Sequence, residues 1–222
     1  MKVLAVSDIE SPSLYDYFSP EKVEGVELIV GCGDLRMEYL EFLVTMMNVP
    51  LIYIHGNHDD HFRREPEGCI CIDDDVFEYK GLRFVGLGGS IRYKEGKYMF
   101  TEREMRSRIR KLWWKIRRHK GFDVLVTHSP ARHINDFDNV THRGFECFNE
   151  LLERYKPKFF LHGHIHRNYG ARIPQVFEHD GTTIINATDY CIFEIAEPSA
   201  EDEKEKEKRN SSRLNQLLVE FV

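Results

Sequence analysis

The sequence predicts an α/β fold in which two sheets pack face to face with helices outside. Three observations predict it. Through the first half, short apolar runs of β-like length alternate with segments whose apolar residues recur at helical spacing. A second group of strand-like segments closes the region near 174–195. Five apolar runs, Val3 to Val6, Leu28 to Val30, Leu51 to Ile54, Val124 to Val126 and Phe159 to Leu161, each lead into a potential metal ligand.

Taken in order, residues 2–6 read as a first core strand and 20–25 as a short helical turn. A strand follows over 27–31. Over 37–47, Met37, Leu40, Leu43, Val44 and Met47 fall at helical spacing, and Pro50 opens a strand over 51–54. Such strand–helix–strand units imply parallel pairing through right-handed crossovers. Residues 76–79 and 82–87 read as an antiparallel pair joined at Lys80-Gly81.

The segment 101–119 is a helix. Thr101 and Glu104 form a capping box and Gly121 is its stop. Met105, Ile109, Leu112 and Ile116 line one face, while Arg103, Arg106, Arg110, Lys111, Arg117 and Arg118 load the other. That basic face reads either as a solvated outer surface or as a patch for an anionic substrate or partner. The final strands are 174–178, 182–187 and 190–195, with Asp180-Gly181 as a hairpin turn. The body therefore spans 1–196. Residues 197–222 begin as a Glu/Lys/Ser-rich linker or exposed helix and recover apolar spacing at Leu214, Leu217, Leu218 and Phe221. This tail docks on its own body or joins two copies into a homo-oligomer.

The chain has 222 residues, 41% hydrophobic and 31% charged, enough for one domain with a sizeable core. The net charge of −6 favours solubility and argues against nucleic acid as an obligatory partner. The five cysteines are odd in number, and Cys69-Ile70-Cys71 lacks the spacing of a zinc knuckle or redox pair. They read as buried reduced thiols of a cytoplasmic protein. No stretch approaches 18 consecutive apolar residues, so no membrane span is expected, and the first apolar run is too short for a signal peptide.

The strand-end motifs carry the chemistry. They read Ser7-Asp8, Gly33-Asp34, Gly56-Asn57-His58-Asp59, Thr127-His128 and Gly163-His164-Ile165-His166. Ligands of open α/β sheets sit at the carboxyl ends of parallel strands. Asp, Asn and His side chains at such ends can converge on one volume and form a metal centre of mixed oxygen and nitrogen donors. Any one of these residues alone reads equally well as a turn residue or a hydrogen-bonded core histidine.

In this order the motifs resemble those of the calcineurin-like metallophosphoesterase superfamily, over about residues 2–195. The resemblance implies a four-layer architecture, a two-sheet β-sandwich flanked by α-helices. It also implies two divalent ions bridged by Asp34, with Asp8 and His166 serving the first and Asn57, His128 and His164 the second. His58 would face the substrate, neutralising the phosphoryl group or protonating the departing oxygen, with Asp59 orienting it and raising its pKa. One departure stands out. The family's first motif is Asp-x-His, and here it reads Asp8-Ile9-Glu10. Glu10 as a ligand makes the first site oxygen-rich, which suits Mn²⁺ or Mg²⁺ better than Zn²⁺; alternatively it points away. Manganese is the expected metal, with Mg²⁺, Fe²⁺, Ni²⁺ and Zn²⁺ as other candidates. Arg36 either reaches a substrate phosphate or is a surface charge at a helix start, and His142, in the loop 131–143, is placed to shape substrate choice.

The implied function is hydrolysis of a phosphodiester or phosphomonoester by a hydroxide held between the metals, its pKa drawn toward ~7. The absence of a substantial cap domain tilts the expectation toward diesters. Two other readings stay open: a catalytically weak or silent metal-binding scaffold with a protein partner, and a nuclease guided by the basic face of 101–119. The retained His58 speaks against the first, and the overall acidity against the second.

Overall fold

The strand runs are apolar on both faces because each sheet is covered twice, by the other sheet and by helices. The computed structural model describes residues 1–166 and 173–197. In chain order its elements are β1 (Lys2–Ser7), β2 (Val26–Gly31), α1 (Met37–Met47), β3 (Leu51–Tyr53), β4 (Cys69–Cys71), β5 (Asp75–Tyr79), β6 (Leu82–Leu87), β7 (Ser90–Ile91) and β8 (Met99–Phe100). Then come α2 (Glu102–Arg118), β9 (Val124–Thr127), α3 (Glu146–Tyr155), β10 (Phe159–His162), β11 (Val176–His179), β12 (Thr182–Asn186) and β13 (Asp189–Glu194). Single 3₁₀ turns occupy Pro20–Val23 and Asp59–His61.

One sheet runs β13-β1-β2-β3-β4, parallel except for β13 on β1. The other runs β11-β12-β10-β9-β6-β5, with a parallel centre and antiparallel outer pairs. Between the sheets, Val3, Ala5, Leu28, Val30, Ile52 and Ile54 of the first meet Phe84, Val124, Val126, Leu161 and Ile185 of the second, all buried. The period-2 alternation then sends the intervening residues outward. Leu4, Val6, Ile29, Leu51 and Tyr53 pack under Tyr39, Leu40 and Leu43 of α1. Val85, Leu125, Phe160 and Ile184 pack under Met105, Leu112 and Ile116 of α2 and Phe148, Leu151 and Leu152 of α3. The result is the expected four-layer sandwich. The thiols are buried as expected at Cys32, Cys147 and Cys191, but not at Cys71.

Local signals act as the sequence predicts. The Thr101–Glu104 capping box is formed in both directions, with Glu104 N–H on Thr101 Oγ1 at 3.2 Å and Thr101 N–H on Glu104 Oε2 at 2.7 Å. Lys80-Gly81 and Asp180-Gly181 both take positive φ, as a two-residue hairpin turn requires. Helix α3 has no counterpart among the sequence expectations, although Cys147, Phe148, Leu151, Leu152 and Tyr155 repeat at helical spacing. Its N-terminus lacks a cap of its own. Glu102, the first residue of α2, supplies one across space, accepting from Glu146 N at 3.2 Å and Cys147 N at 2.8 Å. The tail expected over 197–222, with Leu214, Leu217, Leu218 and Phe221, lies outside the described residues beyond Glu197.

Candidate metal centre

Parallel pairing of β1, β2 and β3 in one sheet, and of β9 and β10 in the other, brings five strand ends to one edge of the sandwich. Three of the residues placed there adopt left-handed backbone: Asp8 (φ 62°), Asp34 (φ 56°) and His164 (φ 67°). Such conformations are uncommon outside glycine and cost about 1–3 kcal/mol each. They turn the chain sharply off each strand and leave the side chain on the cleft.

Glycines make the approach possible. A Cβ on Gly33, itself at φ +91°, would sit 2.4 Å from Gly56 N, and one on Gly56 would sit 2.1 Å from Asp34 Oδ1. A Cβ on Gly163 would sit 2.0 Å from Ser7 Oγ and 2.6 Å from Asp8 Oδ2, so the two sheets touch backbone to side chain at this point. His164 N–H donates to both Asp8 carboxylate oxygens, at 3.1 and 2.9 Å, and Thr188 Oγ1 donates to Asp8 Oδ2 at 3.1 Å.

One donor group is tight. His128 Nε2 lies 3.3 Å from Asp34 Oδ2 and 3.0 Å from Asn57 Oδ1, and one donor atom each from Asp34, His128 and His164 falls within 4.8 Å of the others. The second nitrogen of His128 is fixed by the Cys32 carbonyl at 2.8 Å. The other donor group is more open, with His166 Nε2 3.9 Å from Asp8 Oδ1. Carboxylate, amide and imidazole converging at one strand-end edge form a donor set that fits divalent cations.

The electrostatics agree with that reading. Burial disfavours ionised Asp34, but the His128 ring and the His58 amide outweigh it, so this carboxyl is held well below the usual range. Burial likewise opposes charge on His128, yet Asp34 pushes it up to about 10. Burial, reinforced by His128, pushes His164 down to about 3. Without a cation, the site compensates its own carboxylate with an imidazolium.

His58 is exposed, and its backbone N–H donates to Asp34 Oδ1 at 2.7 Å. With Asp8, Ile9, Glu10, Asp34, Leu35, Arg36, Asp59 and His61 it lines a cleft of about 350 Å³. His142 faces the inner side of the centre, its ring 5.5 Å from that of His164. Burial and the neighbouring His166 keep His142 below its ordinary pKa.

Two carboxylates of the sequence reading are committed to partners that the sequence did not name. Asp59 does not orient the His58 ring; its Oδ2 accepts from Gly56 N at 2.7 Å and Asp34 N at 2.9 Å, pinning the two strand ends together. Burial and the nearby Asp34 raise it to about 6. Glu10, read either as a ligand of the first metal or as pointing away, gives both carboxylate oxygens to Arg36, with Nε at 2.6 Å and a close second contact from the guanidinium. The hydrogen bonds from Arg36 hold Glu10 below its ordinary pKa. Arg36 is thereby fixed at the cleft rim with 59% of its side chain exposed. Three partners escaped sequence reading: Tyr93, whose hydroxyl accepts from Asn57 Nδ2 at 3.5 Å, Thr141, whose carbonyl lies 2.7 Å from His164 Nε2, and Thr188. Each lies outside any motif, Thr188 in a single bridge to Ser7, and no spacing signal marks it.

The basic face of α2 is partly neutralised, since Arg106 pairs with Glu102 and Glu150. Among the described residues no helix is long and apolar enough to cross a membrane.

Comparison with known proteins places this geometry. UPF0046 protein C25E10.12 of Caenorhabditis elegans is 26% identical over 209 residues, 76% of this chain and 70% of that protein. UPF0046 protein T07D4.2 of the same organism is 40% identical over 53 residues, 23% of this chain and 13% of that protein. One solved structure matches with a TM-score of 0.62 at 12% identity, covering 86% of this chain and 93% of its own. TT1561 of Thermus thermophilus matches with a TM-score of 0.57 at 14% identity, covering 85% of this chain and 89% of its own. These two structures share the fold. The model of the calcineurin-like phosphoesterases matches residues 1–168, a span that contains every strand-end motif described above, and the chain belongs to that family.

Proposed function

We propose that this chain hydrolyses phosphodiesters at a centre of two divalent ions, with manganese the preferred metal. The observation that carries the reading is Asp34, whose carboxylate meets His128, itself on Asn57, and lines the same cleft as Asp8. Asp34, Asn57, His128 and His164 would hold one ion; Asp8, His166 and Asp34 the other. Two carboxylates, an amide oxygen and three imidazoles form a mixed set that takes first-row divalent ions, Mn²⁺ among them. Bound there, divalent ions neutralise phosphoryl charge and make water acidic enough to supply a nucleophile near neutral pH.

The chain's own residues do the rest. His58 stands at the mouth with its backbone locked to Asp34, so its imidazole meets the ester and carries a proton to the departing oxygen. Arg36, held by Glu10, offers fixed positive charge to an anionic substituent of the substrate. His142 closes the inner side, where burial and the neighbouring His166 disfavour its charged form, and it acts as a polar contact. The open outer cleft leaves room for the second ester arm of a diester.

The test is metal analysis together with hydrolysis of an aryl diester and an aryl monoester across Mn²⁺, Mg²⁺, Ni²⁺ and Zn²⁺. The diester should be turned over faster, best with Mn²⁺. Asp34→Asn should lose metal and nearly all turnover. His58→Ala should keep its metal and lose roughly 10²–10⁴-fold, most for poor leaving groups. Full activity in Asp34→Asn, or wild type that takes up no metal, would sink the proposal.

A further inference from the structure

A second group of metal-binding side chains lies apart from the cleft. His55, at the end of β3, meets Cys71 at the end of β4 and Asp73 just beyond it, with one donor atom from each within 4.8 Å of the others. His55 Nδ1 is 2.6 Å from Asp73 Oδ2 and 3.9 Å from Cys71 Sγ. Cys71 is exposed, His55 is buried and Asp73 lies between.

The arrangement is not that of a catalytic triad. In a triad the nucleophile and the carboxylate occupy opposite nitrogens of the imidazole, so that a proton can pass through the ring. Here thiol and carboxylate converge on the same nitrogen. Three donors facing one point is the arrangement a cation selects. Packing also fixes the ring: Tyr98 stacks on it at 4.4 Å and 9°, while Tyr53 and Phe62 meet it edge-on at 5.4 Å. Nδ1 is thus aimed without help from its other nitrogen. Asp73 is anchored too, accepting from His55 N at 3.2 Å and from Gly88 N at 2.7 Å.

We infer that Cys71, His55 and Asp73 form a separate site for a thiophilic divalent cation of the zinc class. Thiolate, imidazole and carboxylate are the donors zinc takes, at about 2.0–2.3 Å, which sets neighbouring donors roughly 3.3–3.6 Å apart. The present spacings bracket that range, and each donor needs to move by less than about 1 Å to reach it. Three protein ligands leave a fourth position for water. An ion there would staple the ends of β3 and β4 two residues upstream of Asn57, and so stiffen the segment that carries Asn57 and His58.

Cysteine makes the site separable from the centre proposed above, which contains none. The full chain is titrated with Co²⁺ alone and then with Zn²⁺, and thiolate-to-cobalt charge transfer is read in the near ultraviolet. Wild type should develop the band, and Zn²⁺ should remove it. Cys71→Ser should lose the band while still binding cobalt through oxygen and nitrogen donors elsewhere. Cys69→Ser should keep it. His55→Phe, which preserves the aromatic stack, should need more cobalt to reach the same band. No band in wild type with cobalt in excess, a band that survives in Cys71→Ser, loss of the band in Cys69→Ser, or an unchanged titration in His55→Phe would each overturn the site, whatever the phosphoesterase assays show.

Discussion

The residue with most influence on the centre is His128. It is fully buried and stands between Asp34, Asn57 and the Cys32 carbonyl. Despite that burial, Asp34 raises its pKa from 6.5 to about 10. In the metal-free chain the pair stabilises the fold fully only between the ordinary carboxylate pKa of 3.8 and about pH 6.5. The His128 contribution is lost as pH rises through about 10, and the Asp34 contribution is lost as pH falls below 3.8. A cation that takes Asp34 and His128 as ligands has to displace this proton. Metal affinity should therefore rise with pH, by about tenfold per unit while one proton is released per ion. Calorimetry of Mn²⁺ binding in buffers of different ionisation enthalpy measures the proton count directly. A pH-independent affinity between about pH 6.5 and 9 would mean that His128 does not coordinate.

At the scale of elements, helices are started by different devices. Thr101 and Glu104 cap α2 from within its own sequence, and this capping box is legible to any reader of the chain. The cap of α3 comes from Glu102, 44 residues upstream of Glu146. No local pattern announces it, and this explains why 146–155 carries its apolar spacing without a recognisable start. Glu102→Ala should cost roughly 0.5–2 kcal/mol, the usual range for loss of a cap, measured by denaturant unfolding. Hydrolysis and metal content should not change, because α3 packs on the sheet face away from the other sheet. A loss below a few tenths of a kcal/mol would show that water replaces the carboxylate without penalty.

For the whole molecule, the decisive contact is between the sheets at Gly163. The Asp8 carboxylate belongs to one sheet and the His164 amide that holds it belongs to the other. A methyl at Gly163 would overlap Ser7 and Asp8, so the sheets must part or Asp8 must leave its place. Gly163→Ala should keep the fold, lose roughly 1–3 kcal/mol as an overpacked site does, and bind metal weakly. Circular dichroism and metal analysis together check this. Full metal content in a folded Gly163→Ala protein would show that the two sheets do not have to approach so closely for the centre to form.

The layers and the ends of the strands are written along the chain. Apolar runs, capping and turn residues act locally or through a simple period, so β1, β2, α1, α2 and both Gly-containing hairpin turns are readable from neighbours in sequence. The same holds for Asp8, Asp34, Asn57, His128, His164 and His166 as candidates, because each follows a strand directly and parallel sheets gather such ends on one edge. What each polar group meets there is a property of the folded molecule. Glu10 and Arg36 stand 26 residues apart and pair across the cleft rim. Asp59 sits beside His58 in sequence, yet its carboxylate reaches back to Asp34 and Gly56. His55, Cys71 and Asp73 come together only because β3 and β4 pair in register, Tyr53 opposite Cys71. A carboxylate is satisfied by whichever donors the fold brings within about 3 Å. That choice depends on backbone turns and sheet-to-sheet distance, which no residue specifies alone.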